Sequence, residues 1–266
     1  LTAGAGNDLV YGEAGHDVLV QTIGGTQTLT DTTLQGYGND TFASVERVNL
    51  YGAGSDDTFD VSEFTGVAYL DGAGGTDTVA STNDDDFVLA DWNLRRALGG
   101  SFLLTSIERA ALTGGAGDNT FDVTHWTRPA TLDGGGPGSD RVLAVNDADF
   151  TLSDASLIRS GGGSFQLSDI NVAQLTGGLG NNTLDASTFS GRAILSGGDG
   201  NDLLRGGSGP DELDGGLGTD DLNGNAGDDV LWGGGGAGDV LRGGSNDDIL
   251  HGSDDGADSL FGDAGD

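Results

Sequence analysis

The sequence predicts an all-β fold, and within that class a right-handed parallel β-solenoid. Two observations carry this prediction. A glycine-rich unit of nine residues recurs seven times from Gly197 onward, and longer blocks of about 60 residues recur in the middle of the chain. In both, an apolar residue returns at regular intervals after a glycine-rich turn. Short strands that stack coil upon coil, and bury their apolar faces only by stacking, produce this pattern.

The nine-residue unit divides into a six-residue turn and a three-residue strand. Its copies read GGDGNDLLR, GGSGPDELD, GGLGTDDLN, GNAGDDVLW, GGGGAGDVLR, GGSNDDILH and GSDDGADSLF. Aspartate holds the sixth place, or the seventh in the two ten-residue copies, and a large aliphatic residue follows two places later. Glycine permits the positive φ angles of a tight turn and leaves the backbone carbonyls unshielded. Two more copies, AGAGNDLVY and GEAGHDVLV, occupy residues 3–11 and 12–20.

Three longer blocks, at about 12–71, 72–133 and 134–196, form the middle of the chain. Residues 83–94 return as 146–157, which lie 63 positions later. Apolar markers separated by 23, then 17 to 19, then 20 or 21 residues are Leu19, Phe42, Phe59, Val79, Phe102, Phe121, Val142, Phe165, Leu184 and Leu204. We therefore predict three coils in each block and two nonapeptides per coil in the terminal runs. This gives nonapeptide repeats at 1–20, a longer-coil β-helix at 21–196 and a roll of nonapeptide repeats at 197–266.

The charge balance excludes several classes of partner. The chain has 266 residues, with 43 acidic residues against ten arginines and a net charge of −33. Nucleic acid and anionic membranes are therefore unfavourable partners. Without cysteine, stability must come from packing or from hard cations bound by oxygen atoms. No stretch is apolar enough to span a membrane, and no signal-peptide pattern opens the chain.

A glycine- and aspartate-rich composition is also typical of disordered chains. A flexible linker, however, would not keep an apolar residue two places after the aspartate of every nonapeptide. We therefore expect a folded chain.

The nonapeptide turn offers the ligands that calcium prefers. Calcium takes about six to eight oxygen atoms and accepts carbonyls and carboxylates in loose geometry. One turn supplies too few of them, whereas two stacked turns supply enough. The pattern GGxGxDxUx resembles the haemolysin-type (RTX) calcium-binding repeat. This resemblance implies a β-roll in which each ion lies between one turn and the turn two repeats later.

Carried onto this chain, the resemblance implies two rows of aspartate ligands. The first row, with spacings of 18, 19 and 19 residues, is Asp202, Asp220, Asp239 and Asp258. The second row, with spacings of 18 and 19 residues, is Asp211, Asp229 and Asp248. The expected cofactor is Ca²⁺, with about five or six ions in the calcium-binding roll at 197–266. We expect the chain to be folded in the presence of calcium and the nonapeptide runs to be disordered without it.

The same turn position is less uniform in the rest of the chain. Six positions keep a carboxylate and are further candidate metal ligands, namely Asp8, Asp17, Asp40, Asp57, Asp77 and Asp140. Asn119 and Asn182 carry no charge, and we expect them to form side-chain ladders or turn caps. Gly100 and Gly163 bring no side chain to this position.

The sequence contains no motif typical of a catalytic site. None of the three histidines lies in HExxH, and no GxSxG is present. Trp126 is expected to be a packed corner residue beside a solvated His125. Trp92 and Trp232 are candidates for sugar-stacking surfaces, although isolated aromatic residues on a solenoid are more often structural. We predict no enzyme within this chain, and the alternative is a polysaccharide-acting lyase, epimerase or hydrolase module.

The function that the sequence predicts is calcium binding that folds and stiffens a repeat region. Such a region would act as a structural or adhesive segment of a secreted or cell-surface protein. The resemblance implies a fragment of a large bacterial protein exported by type I secretion and folded in extracellular calcium. Calcium ions are the expected partner, a glycan or other cell-surface ligand is a further candidate, and the oligomeric state is left open.

Overall fold

The structure is a computed structural model that describes residues 1–252 and 256–265. Numbered in chain order, its strands are β1 (Leu9–Tyr11), β2 (Val18–Thr22), β3 (Thr26–Thr30), β4 (Thr33–Gln35), β5 (Asn39–Ala43), β6 (Arg47–Tyr51), β7 (Thr58–Glu63), β8 (Val67–Asp71), β9 (Thr78–Thr82), β10 (Phe87–Ala90), β11 (Asn93–Arg96), β12 (Ser101–Thr105), β13 (Arg109–Thr113), β14 (Thr120–His125), β15 (Pro129–Asp133), β16 (Arg141–Val145), β17 (Phe150–Ser153), β18 (Ser156–Arg159), β19 (Ser164–Ser168), β20 (Val172–Thr176), β21 (Thr183–Thr188), β22 (Arg192–Asp199), β23 (Leu203–Arg205), β24 (Glu212–Leu217), β25 (Asp221–Ala226), β26 (Val230–Trp232), β27 (Val240–Ser245), β28 (Ile249–His251) and β29 (Ser259–Ala264).

The chain folds into two compact units. The first comprises Leu1–Phe121 and His125–Gly136, and the second comprises Asp122–Thr124 and Pro137–Asp266. In the first unit, sheet 1a has the order β1-β5-β4-β3-β7-β9-β13-β15 and sheet 1b the order β2-β6-β8-β12-β11-β10. In the second unit, sheet 2a has the order β19-β18-β17-β21-β23-β25-β27-β29 and sheet 2b the order β16-β20-β22-β24-β26-β28.

From β19 onward, successive strands of the second unit alternate between its two sheets, so two strands make one coil. Leu204, Leu222 and Leu241 lie in register on successive parallel strands of sheet 2a, and all three are completely buried. Each strand carries its buried residues at alternate positions. Burying each leucine contributes roughly 1.5–3 kcal/mol. The all-β, mostly parallel solenoid predicted from the sequence is thus confirmed, with no helix among the described residues.

At three places the chain forms a three-stranded antiparallel meander where a coil would have a single parallel strand. We call each such meander an antiparallel excursion. Strands β3–β5 lie in sheet 1a, β10–β12 in sheet 1b and β17–β19 in sheet 2a, and each set occupies one strand position of a coil. Ala68 therefore pairs with Phe102, 34 positions along the chain, whereas Val48 and Ala68 pair at a separation of 20.

The prediction of three coils per block is wrong for this reason. Between Arg47 and Thr105 the chain passes through β6, β7, β8, β9 and the β10–β12 excursion, which are five strand positions, or two and a half coils. Phe42 and Phe59 are 17 residues apart, but Phe59 pairs with Gln27, because β4 and β5 fold back on β3. An antiparallel excursion has the same alternation of apolar residues as a parallel strand, so the sequence pattern does not distinguish it from a coil.

The corner at Trp126 has the predicted form. Its ring is completely buried and its Nε1–H donates to the carbonyl oxygen of Pro129 at 3.3 Å, whereas the neighbouring His125 is exposed. Trp92 and Trp232 are 56 % and 37 % exposed, so both remain accessible from solvent. No helix in the described ranges has the length and hydropathy needed to cross a membrane.

Candidate calcium site

The first row of aspartates forms a continuous ladder along the second unit. The backbone N–H of Asp202 donates to Oδ1 of Asp220 at 2.7 Å, and the N–H of Asp220 donates to Oδ1 of Asp239 at 2.8 Å. The N–H of Asp239 then donates to Oδ1 of Asp258 at 3.0 Å. The carboxylates of Asp220, Asp239 and Asp258 are therefore each fixed by the amide of the aspartate one coil earlier, and the carboxylate of Asp202 accepts the N–H of Asn182 at 2.7 Å.

The second row is built in the same way. The N–H of Asp211 donates to Oδ1 of Asp229 at 2.8 Å, and the N–H of Asp229 donates to Oδ1 of Asp248 at 3.0 Å. The N–H of Ala193 donates to Oδ1 of Asp211 at 2.6 Å. The structure thus brings all seven aspartates of the nonapeptide run into the two expected rows.

The second carboxylate oxygen of most row aspartates is buried and accepts no hydrogen bond. This holds for Oδ2 of Asp202, Asp220, Asp229, Asp239 and Asp248. A buried charged oxygen without a partner is costly, because neither water nor protein replaces its lost hydration. Such oxygen atoms suit a hard cation.

Backbone carbonyl oxygens approach the positions that the row carboxylates occupy. A Cβ built on Gly206 would touch the carboxylate of Asp211 and lie 2.6 Å from the carbonyl oxygen of Gly224 in the next coil. A Cβ on Gly215 would meet the carboxylate of Asp220 in the same way. The first glycine of the repeat is therefore required because a carboxylate and a carbonyl from successive turns approach its Cα. Carboxylate and carbonyl oxygens together are the donor set that calcium accepts.

Burial disfavours the ionised form of these carboxyl groups when no cation is bound. It raises the pKa of Asp211 to about 7 and the pKa values of Asp220 and Asp229 to about 6. The negative charges of row neighbours add to this increase, while backbone N–H donors oppose it. Burial also raises the pKa of Asp202 and Asp248. A bound cation would favour the ionised form of all five.

No group of three or more His, Cys, Asp or Glu side chains lies close enough to hold a metal ion by itself, as far as the described residues go. A calcium ion at the rows would therefore depend on backbone carbonyls as well as carboxylates. Glycine at the turn positions leaves these carbonyls accessible. The donor set fits calcium and does not fit a metal that requires several side-chain ligands.

Comparison with known families identifies the repeat. The profile of the RTX calcium-binding nonapeptide repeat (4 copies) matches residues 1–20, 187–222, 196–231, 214–250 and 233–266. Residues 1–20 and 187–266 are thus similar to haemolysin-type calcium-binding repeats. These RTX ranges contain both rows of the second unit and also Asp8 and Asp17. No curated protein matches the chain.

Outside the C-terminal RTX repeats, the remaining candidate aspartates differ from one another. The N–H of Asp8 donates to Oδ1 of Asp40 at 2.9 Å, and the N–H of Asp57 donates to Oδ1 of Asp77 at 2.7 Å. Both carboxylate oxygens of Asp57 accept backbone N–H groups, at 2.5 and 2.6 Å. Oδ2 of Asp77, by contrast, is buried without a hydrogen bond, and burial raises the pKa of this carboxyl group. Asp77 therefore matches the RTX rows more closely than Asp57.

Three further side chains continue the ladder in the longer coils, and the sequence prediction missed them. The N–H groups of Asp17, Asp77 and Asp140 donate to Glu46 Oε2 at 2.6 Å, Glu108 Oε2 at 2.9 Å and Asn171 Oδ1 at 2.8 Å, respectively. Each acceptor directly follows an aliphatic residue, at the second place of the segments VERV (45–48), IERA (107–110) and INVA (170–173). That recurrence was the available signal. It was overlooked because the acceptors lie outside the glycine-rich turn.

The two asparagines cap turns, as expected. Oδ1 of Asn119 accepts a backbone N–H of its own turn at 2.6 Å, and its Nδ2 donates to Asp84 Oδ1 at 3.2 Å. Asn182 makes the equivalent bonds, at 2.8 Å within its turn and at 3.3 Å to Asp147. Their amide groups thus supply both the acceptor and the donor that these turns need.

An arginine occupies the turn where the sequence offers only Gly100. Arg96 is 7 % exposed, and its guanidinium donates to the carbonyl oxygens of Gly99 at 2.9 Å, Ser62 at 2.7 Å and Phe64. A Cβ on Gly100 would lie only 2.6 Å from Nη2 of Arg96. A fixed positive charge therefore lies among carbonyl oxygens in a turn that lacks the repeat aspartate.

The second unit repeats this arrangement at Gly163. Arg159 is 6 % exposed, and its guanidinium donates to the carbonyl of Gly162 at 2.8 Å, the carbonyl of Thr124 at 3.2 Å and Oδ1 of Asn146 at 2.6 Å. Arg96 and Arg159 lie 63 positions apart in the aligned segments RALGGSF and RSGGGSF. The sequence contained this signal, but only the structure shows that both side chains point inward.

Proposed function

We propose that the RTX repeats bind calcium through the two aspartate rows and serve as a structural and adhesive segment of a secreted or cell-surface protein. RTX repeats bind calcium. The observation that carries the assignment of ligands is the burial, without a hydrogen bond, of the Oδ2 atoms of Asp202, Asp220, Asp229, Asp239 and Asp248. The assigned residues are Asp202, Asp211, Asp220, Asp229, Asp239, Asp248 and Asp258, with Asp8, Asp17, Asp40, Asp57, Asp77 and Asp140 as further ligands in the remaining coils.

Backbone amides of the chain hold the row carboxylates in position. Each row amide orients the carboxylate of the next coil through Oδ1, which leaves Oδ2 directed at the first glycine of its turn. Calcium supplies the positive charge that these buried oxygens need. A ligand that binds only the folded chain at about 100 times its dissociation constant contributes about 2.7 kcal/mol per site. About six ions would also offset about twelve of the 33 net negative charges.

This coupling accounts for the proposed location. RTX repeat proteins are typically secreted by type I systems and bind extracellular calcium. Millimolar calcium outside the cell would fill sites that stay empty at the far lower concentration in the cytosol. The chain would therefore leave the cell unfolded and become a stiff segment outside it.

A calcium titration tests the proposal. The far-ultraviolet circular dichroism and the thermal midpoint of the full chain are measured in chelator and in increasing calcium, with magnesium as the control ion. We expect β signal and thermal midpoint to rise with calcium, and equilibrium dialysis to give at least about five or six ions per chain, the number proposed for the C-terminal roll alone. An unchanged spectrum together with a metal count near zero would contradict the proposal.

The proposal contains no catalytic step. RTX repeats are generally structural rather than catalytic. Incubation of the calcium-loaded protein with polysaccharides, followed by analysis of reducing ends and unsaturated products, separates an adhesive segment from an enzyme. Turnover would favour the alternative of a polysaccharide-acting module over the adhesive role.

A further inference from the structure

A turn of three residues, 106–108, connects β12 to β13 in the first unit, where other coils have a six-residue repeat turn. We call it the short turn. It stacks on the repeat turn at 72–77, because the N–H of Gly72 donates to the carbonyl oxygen of Thr105 and the N–H of Glu108 donates to that of Asp77, both at 3.0 Å. Both turns lie outside the ranges that the RTX profile matches.

The short turn presents a backbone carbonyl oxygen in the same way as a repeat turn. A Cβ built on Gly72 would meet the carbonyl oxygen of Ser106 together with Oδ2 of Asp77. In the RTX rows, a Cβ on Gly215 would likewise meet a carbonyl oxygen of the next turn together with Oδ2 of Asp220. Ser106 has a φ of 50°, in the left-handed region that a non-glycine residue rarely adopts. This backbone conformation allows three residues to place the carbonyl where a longer glycine-rich turn places it.

Glu108 takes the place of the repeat aspartate in the short turn. The N–H of Asp77 donates to Oε2 of Glu108 at 2.9 Å, just as the N–H of Asp220 donates to Oδ1 of Asp239 in the first RTX row. A glutamate side chain is longer than an aspartate side chain by one methylene group, so a carboxylate from a shorter turn can still reach the row. The hydrogen bond from Asp77 uses Oε2, which leaves Oε1 for a ligand.

The carboxylate of Asp77 is buried, and the chain supplies no positive charge to balance it. Oδ1 of Asp77 accepts the N–H of Asp57 at 2.7 Å, whereas Oδ2 is buried without a hydrogen bond. Burial raises the pKa of Asp77, the N–H of Asp57 opposes this increase, and the charges of Asp57 and Glu108 add to it. Within the described part of the chain, no arginine forms an ion pair with Asp77 or Glu108. A bound cation would balance these charges.

We propose that the short turn and the repeat turn at 72–77 bind one calcium ion between them, with Asp77, Glu108 and the carbonyl oxygen of Ser106 among its ligands. Carboxylate and carbonyl oxygens are the donors that calcium accepts. This inference rests on the proposed function and extends it to a second kind of turn, which lacks the glycine-rich pattern. Because β12 ends an antiparallel excursion and pairs with β8, the ion would fix the chain where it returns to the parallel coils.

Glu108→Gln is the variant that separates calcium binding from a structural role. It removes the charge and keeps an oxygen atom that can accept the N–H of Asp77. The variant should fold, because an amide group already serves this purpose in the third block, where Oδ1 of Asn171 accepts the N–H of Asp140 at 2.8 Å. A purely structural role for Glu108 would therefore leave calcium binding unchanged.

Two measurements on the full chain test the proposal. Equilibrium dialysis should give one calcium ion fewer for Glu108→Gln than for the unmodified chain. In saturating calcium, hydrogen–deuterium exchange followed by mass spectrometry should be faster by about tenfold or more in residues 101–113, which contain β12 and β13. Exchange in residues 203–251 of the roll should not change. In chelator, the variant and the unmodified chain should exchange at the same rate.

Glu63→Gln is the matched control, because Glu63 is an exposed glutamate of the same unit at the end of β7, and it should change neither measurement. Asp77→Asn should act as Glu108→Gln does, since Asn119 and Asn182 show that a row position accepts an amide.

An unchanged ion count in both site variants would overturn the proposal, as would equally faster exchange in calcium and in chelator. Calcium protection of residues 203–251, with residues 101–113 of the unmodified chain equally protected in chelator, would refute the short-turn site alone. Absence of any calcium response along the chain would refute the proposed function as well.

Discussion

At the scale of single residues, the two carboxylate oxygens of a row aspartate have different surroundings. Oδ1 of Asp220 accepts the amide of Asp202, which fixes the stacking of two coils. Oδ2 of the same side chain is buried without a hydrogen bond. The adjacent Asp221 is different, because its side chain is 50 % exposed and pairs with Arg242 at 2.5 Å. Two neighbouring aspartates thus offer a matched comparison of ligand and surface charge.

Replacement of Asp220 by Asn should lower calcium binding by at least one ion and reduce the stability of the calcium-loaded chain by about 1–3 kcal/mol. In chelator the loss should shrink, because the substitution also removes a buried charge. Asp221→Asn should cost less than about 1 kcal/mol in either condition. Equilibrium dialysis and thermal melts in calcium and in chelator measure both effects. Equal losses for the two variants would contradict the assignment of Asp220 as a calcium ligand.

At the scale of elements, an antiparallel excursion places a buried arginine side chain beside its turn. The guanidinium of Arg96 lies over the ring of Phe102, with 5.5 Å between Cζ and the ring centroid, and donates to several carbonyl oxygens. Burial lowers the pKa of Arg96, while Asp85 opposes this decrease. A covalently attached cation therefore satisfies carbonyl oxygens at a turn that holds no repeat aspartate. Stability at such a turn should not depend on calcium.

Replacement of Arg96 by Ala should destabilise the chain by at least about 2 kcal/mol, because several buried carbonyl oxygens lose their donor. The loss should be similar in calcium and in chelator. Arg95→Ala is the matched control, since Arg95 is exposed on the same strand, and its effect should stay within about 0.5 kcal/mol. Thermal melts of both variants decide the matter. Rescue of Arg96→Ala by calcium alone would mean that the turn can hold an ion in place of the guanidinium.

The elements also show how far the sequence could lead. The nonapeptide rows were predictable, because an identical turn at a fixed spacing leaves one way to align Asp202 with Asp220. The excursions were not, because an alternating strand has the same pattern whether its neighbour is parallel or antiparallel. The same ambiguity hid Arg96, whose inward direction depends on the reversal of the chain at β11. Long-range strand pairing, rather than the local sequence pattern, determines both the course of the excursions and the direction of the Arg96 side chain.

At the scale of the whole molecule, negative charge opposes folding in the absence of a cation. The chain has a net charge of −33, and the buried row carboxyls are raised in pKa from an ordinary value of 3.8. In the folded, calcium-free chain these groups hold protons more tightly than in the unfolded chain. Their favourable contribution is complete below about pH 3.8 and is lost as pH rises through about 6 to 7.

The calcium-free chain should therefore become more stable as pH falls from about 7.5 to about 5, whereas the calcium-loaded chain should lose affinity for its ions over the same interval. Thermal melts and calcium titrations at several pH values measure the two trends. Parallel melts at high salt separate the burial effect from surface repulsion, because salt screens exposed charges far more than buried ones. A calcium-free midpoint that rises with pH would contradict the assignment of raised pKa values to the rows.

The row hydrogen bonds all run in one direction along the chain. The N–H of Asn182 donates to Asp202, that of Asp202 to Asp220 and that of Asp220 to Asp239. At the C-terminal end of a folded stretch, the last row amide is already held in place and lacks only the carboxylate of the next coil. At the N-terminal end, the first row carboxylate instead lacks the amide of a coil that has not yet folded. The two ends of a growing roll therefore offer different groups to the next coil, although a coil added at either end must order its backbone, because the N–H groups of Asp221 and Val240 also donate to the carbonyl oxygens of Asp202 and Asp220 in the preceding coil.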